Sequence, residues 1–150
     1  MTEAGAAPDG VGSPTTDEIR KAGGGAALFA LVLAAVDTFA GSSNGGIVEL
    51  AIVAAVIVVG AAGVFLWGVP WALTLEEPGA AVVAVLASLL GLLTVVIFWS
   101  GLPPVFAVAG IVLGRKERNA YEGRFYAQAA IVMGVAALVL DVVQVILDIF

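Results

Sequence analysis

Five polar side chains stand in or beside long apolar runs: Asp37, Glu49, Asp141, Gln144 and Asp148. Asp141, Gln144 and Asp148 follow i, i+3, i+7 spacing, which puts them on one helix face. No lysine or arginine lies between residues 22 and 114 to pair with Asp37 or Glu49. A carboxylate within hydrocarbon must be hydrated, protonated or bound to a cation, because an isolated charge is costly there. The five residues are therefore a candidate cation or proton site. Hydration at a membrane interface is the simpler account of Asp37, Glu49 and Asp148, because interfacial acids cost little. Asp141 lies deeper, about 13 Å of helix from Phe150, and an acid at that depth is a functional-site hypothesis by default.

A second constellation is basic. Arg115, Lys116, Arg118 and Arg124 stand in one polar loop, where Glu117 and Glu122 offset half of their charge. Such a loop suits anionic lipid headgroups, at about 1 kcal/mol per Lys or Arg near the surface. The simpler reading is a topology signal without a specific ligand.

The missing residue types narrow the chemistry. There is no cysteine and no histidine, so disulfides, thiolate nucleophiles and the usual zinc and haem ligand sets are excluded. The side chain most used for proton transfer near neutral pH is also lacking. Neither a Gly-x-x-x-x-Gly-Lys-Ser/Thr loop nor a Gly-x-Ser-x-Gly elbow occurs. No enzyme activity and no cofactor is expected. A net charge of −6 with one short basic cluster disfavours nucleic acid as a partner.

The elements that must hold these residues are apolar helices. Of 150 residues, 61% are hydrophobic and 12% charged, with a mean hydropathy of +1.11. A soluble domain is nearer about 45–50% apolar and about 25% charged, so the composition describes a multi-pass membrane protein. Residues 1–21 are small and polar and read as a disordered tail; their net negative charge argues against a cleaved signal peptide. Residues 22–150 read as one helical transmembrane domain. Its first apolar run spans about Gly24 to Ala40 and ends in the turn composition of residues 41–46. A second run, Ile47 to about Gly68, has the length to cross a core of about 30 Å and ends on Trp67 and Trp71, at the headgroup level indoles prefer. A third spans Gly79 to about Ser100 and closes on Trp99, with Pro78 in its first turn. Gly101-Leu102-Pro103-Pro104 breaks it. Residues 104–114 are apolar but short, about 17 Å as a helix, and read as a re-entrant or mismatched segment. The last run spans Phe125 to about Leu147. The expected fold is all-α, an integral membrane bundle of four to five hydrophobic segments.

Charge sets the orientation. All six Lys and Arg fall in two clusters, Arg20 with Lys21 and Arg115 through Arg124. The positive-inside rule puts both in the cytoplasm. Five passages satisfy this, with the N-terminus and the Glu76-Glu77 link inside; a four-span arrangement misplaces one cluster. Tyr121, Phe125 and Tyr126 then join Trp67 and Trp71 in an inner aromatic belt, with Trp99 outer. The expected setting is the plasma membrane of a prokaryote. Small residues recur four apart at Ala80, Ala84 and Ser88, at Ala87 and Gly91, and at Ala130 and Gly134. This spacing permits close helix packing, either within the chain or in a homo- or hetero-oligomer.

The stretch Gly110-Ile111-Val112-Leu113-Gly114-Arg115-Lys116-Glu117-Arg118, followed by Gly123-Arg124-Phe125-Tyr126-Ala127-Gln128-Ala129-Ala130-Ile131-Val132-Met133-Gly134, resembles the DUF4190 family of small prokaryotic membrane domains. Gly114, Gly123, Arg124, Ala127 and Gly134 fit its pattern, over about residues 79–147. Ala130 replaces a common glycine, Tyr126 a common aliphatic residue, and the loop is more acidic than usual. The resemblance implies a membrane location and no known activity. The leading role is a non-enzymatic protein that packs against a partner or lipid; the alternative is a small transporter or channel-like subunit using the outer acids.

Overall fold

The computed structural model describes residues 14–40, 46–97, 101–119 and 123–149. Among these residues there are five helices and no strand: α1 (Thr16–Ala40), α2 (Gly46–Ala72), α3 (Gly79–Ile97), α4 (Pro103–Glu117) and α5 (Arg124–Ile149). The protein is an all-α bundle, as its composition requires. Most of the expected tail, the turn at 41–45, Trp99, Tyr121 and Glu122 lie outside the described residues.

α1 begins at Thr16 rather than near Gly24, so Thr16–Lys21 belong to a helix and not to a tail. The cause is a capping box. The Thr15 amide donates to Glu18 Oε2 at 2.7 Å, and the Glu18 amide donates back to Thr15 Oγ1 at 3.2 Å. Asp17 and Glu18 also complement the positive end of the helix. The inward face of α1 is Ile19, Gly23, Ala26 and Ala30, in helical spacing. At Gly23 a Cβ would stand 2.7 Å from the Phe65 ring, so only glycine admits that ring.

α2 carries a π-turn over Val64–Gly68, closed by the Val69 amide on the Val64 carbonyl. Pro70 follows directly. It has no N–H for the carbonyl four residues back, and the helix widens just ahead of it.

α3, α4 and α5 form the tightest part of the bundle, and small residues are the reason. Ala80, Ala84 and Ser88 on α3 are wholly buried, as are Ala107 on α4 and Ala127, Ala130 and Ala137 on α5. A Cβ on Gly91 would lie 3.0 Å from the Ala107 nitrogen. One on Gly110 would lie 2.9 Å from the Ala84 carbonyl oxygen, one on Gly114 2.9 Å from that of Ala127, and one on Gly134 2.8 Å from that of Ala107. Backbone meets backbone at each crossing, the close approach by which helices associate in lipid. The small-residue stripes read from the sequence are thus covered within the chain. Ala87 is half-buried, beside the fully buried stripe.

The order of these contacts gives the topology. Gly91 meets the start of α4 and Ala84 its middle, so α3 and α4 are antiparallel; Gly114 beside Ala127 and Gly134 beside Ala107 make α4 and α5 antiparallel. Gly101 packs on Ile57 and Leu102 on Gly60, while Lys116 reaches Leu73, so α4 runs alongside α2 in the same direction. The chain therefore alternates direction through five helices. The short fourth segment forms a helix of its own, longer than the 104–114 run. It is a helix of 15 residues whose Pro103, Pro104, Val105, Ala107, Ala109, Gly110, Leu113, Gly114 and Glu117 are buried.

Three helices, α1, α2 and α5, are long and apolar enough to cross a membrane, and α3 is a shorter apolar helix. Only 17% of the most apolar stretch of each long helix is buried within the chain. Large apolar side chains are left facing outward all round, among them Ile47, Val48, Val59, Leu66, Val132 and Leu147. A bundle with so small a buried share requires hydrocarbon as its solvent, and the chain is a membrane protein.

Candidate functional site

The alternating topology sorts the charges by end. Arg20 and Lys21 on the first turns of α1, Arg115, Lys116 and Arg118 at the end of α4, and Arg124 at the start of α5 share one end with the 73–78 link. Asp37, Glu49, Asp141 and Asp148 stand at the other, where the sequence supplies no lysine or arginine.

At the acidic end, α1 and α5 enclose a cavity of about 250 Å³. α1 contributes Leu33, Ala34 and Asp37, and α5 contributes Asp141, Gln144, Val145, Leu147 and Asp148, with Val95 and Gly101 completing the wall. The i, i+3, i+7 face of α5 is turned toward the Asp37 face of α1, so three carboxyl groups and one amide line the same space. The Asp37 and Asp148 side chains are hydrogen-bonded to each other, and Asp141 lies within electrostatic reach of Asp37. The remaining wall is mostly aliphatic. A cavity of this size admits several waters or a small organic cation.

Glu49 does not line the cavity. It is exposed in the first turn of α2, where its charge faces the positive end of that helix, and it acts on Asp37 only through space. Among the described residues, no group of three or more His, Cys, Asp or Glu is placed to hold a metal ion.

The basic end divides into committed and open side chains. Lys116 Nζ donates to the Leu73 carbonyl at 2.9 Å, serving the unsatisfied C-terminal end of α2. The same ammonium lies 3.7 Å from Glu117 Oε1. Glu117 is 4% exposed, and its Oε2 has no hydrogen-bond partner among the described residues. Lys116 thus joins the α2–α3 link to the end of α4 and is not an open headgroup ligand. Arg115, Arg118 and Arg124 are exposed. The burial of Glu117 was foreshadowed by Gly110 and Gly114, whose spacing carries on through Glu117 along one face of α4.

Comparison with family models, with curated proteins and with solved structures finds no match to this chain.

Proposed function

We propose that this protein is a small non-enzymatic membrane protein, transporter- or channel-like, that takes a proton or small cation into the cavity between α1 and α5. One observation carries this reading: Asp37, Asp141, Gln144 and Asp148 converge from two helices on one cavity at the end without basic residues. Polar groups inside a membrane bundle are kept at a cost, and they mark ion or proton sites. By the positive-inside rule the basic end faces the cytoplasm of a prokaryotic cell, and the cavity then lies toward the outer side.

A ligand that binds only the folded state raises its stability, by about 2.7 kcal/mol at a hundredfold excess over Kd. The purified chain in detergent is melted with sodium or tetraethylammonium and at several pH values. A rise in Tm that is lost in D37N/D148N supports the site; a Tm equally insensitive in both proteins rejects it.

A second reading is a protein that packs against a membrane partner. The outward apolar surfaces of α2 and α5 favour it, and a partner recovered in stoichiometric amount from the native membrane is its test. Kinship with DUF4190 over about residues 79–147 is also proposed. Its support is that Gly114 and Gly134, two residues of the motif, stand where helices meet backbone to backbone.

A further inference from the structure

We propose that the basic end binds anionic phospholipid headgroups through Arg20, Arg115, Arg118 and Arg124, and that the two lysines take no part. All six basic residues share this end, yet they are not equivalent. Lys21 stands 2.6 Å from Asp17, and this exposed ion pair offers a headgroup no net charge. Lys116 is held by the Leu73 carbonyl and lies beside Glu117. The four arginines are exposed, and no carboxylate among the described residues pairs with them.

The level of these arginines in the membrane is set by aromatic side chains. Trp67 and Trp71 near the end of α2 are 76% and 60% exposed, and Phe125 beside Arg124 is 76% exposed. Outward-facing rings at the end of an apolar helix belong at the headgroup boundary. Guanidinium groups just beyond that boundary meet phosphodiester oxygens, which they bind through a planar fork of donors. Glu76 and Glu77 are exposed on the 73–78 link at the same end and repel an anionic headgroup, which leaves the arginines as its binding groups. The partner is therefore a lipid with net negative charge, such as phosphatidylglycerol, and not a zwitterionic one. This inference is independent of the acidic cavity.

The test uses the full chain in maltoside detergent, offered equal amounts of phosphatidylglycerol and phosphatidylcholine with identical acyl chains. Retained lipids are counted by native mass spectrometry. The expected result is preferential retention of phosphatidylglycerol, falling about fivefold for each arginine removed. R115Q/R118Q then loses about 25-fold, while K21Q retains the wild-type preference. Circular dichroism checks helicity, and R118Q alone, at an exposed and unpaired position, serves if the double variant does not fold. Equal retention of the two lipids by the wild type overturns the proposal. So does a preference that survives loss of the arginines, or a K21Q defect as large as that of R118Q.

Discussion

The Ser88 hydroxyl donates a hydrogen bond of 2.7 Å to the Ala130 carbonyl, joining α3 to α5 inside the bundle. Gly110 of α4 sits against the same serine, so three helices meet at one point. The crossing is possible because each helix presents almost no side-chain volume there. Ser88→Ala removes the bond but preserves the shape. Interhelical hydrogen bonds in membranes average about 0.6 kcal/mol, so a loss of that order is expected in reversible unfolding in mixed micelles.

Gly110→Val acts on volume instead and is expected to be far worse. Its Cβ alone would lie 2.9 Å from the Ala84 carbonyl and 3.0 Å from the Ser88 nitrogen, backbone atoms that cannot turn aside. Overpacking of this kind costs about 3 kcal/mol or prevents folding. The same unfolding assay, run beside Ser88→Ala, separates packing from hydrogen bonding: the valine must be the more damaging.

Lys116→Met is predicted to destabilise by about 2 kcal/mol. It strips the Leu73 carbonyl of its donor and leaves the buried Glu117 without a neighbouring cation. Lys116→Met with Glu117→Gln should recover part of the loss, since the uncompensated charge is then gone. A double variant no more stable than the single one separates the role of Lys116 from Glu117.

The chain has no cysteine, so single cysteines report its topology without background. Alternating passages predict that Glu76→Cys and Asn119→Cys react with an impermeant maleimide from one side, and Ile47→Cys from the other. The positive-inside rule predicts that the first side is the cytoplasmic one. Labelling of Glu76→Cys and Asn119→Cys from opposite sides would contradict the course of α4.

Much of this architecture is readable in the residues. Apolar runs bounded by turn compositions locate α2, α3 and α5 within a few residues, because in lipid every backbone group must be bonded within a helix. Apolar content alone starts the first run near Gly24, whereas the Thr15–Glu18 capping box marks where α1 begins. The fourth segment looks too short when measured between Pro104 and Gly114, for its helix continues through Arg115–Glu117, where Lys116 and Glu117 serve interior contacts. Spacing alone predicts that Asp141, Gln144 and Asp148 share a face. That this face meets Asp37 and not Glu49 depends on which helices are neighbours. Helices that are apolar on every side carry too weak a directional pattern to disclose that.

Flux tests the acidic cavity most directly. The chain is reconstituted in liposomes, and proton or cation movement is followed with a trapped indicator dye under an imposed gradient. Wild-type protein is expected to carry flux well above protein-free liposomes, and Asp141→Asn to return it to that background while remaining folded and inserted. Flux from the wild type equal to that of empty liposomes, or undiminished flux through Asp141→Asn, contradicts a conducting role for the cavity.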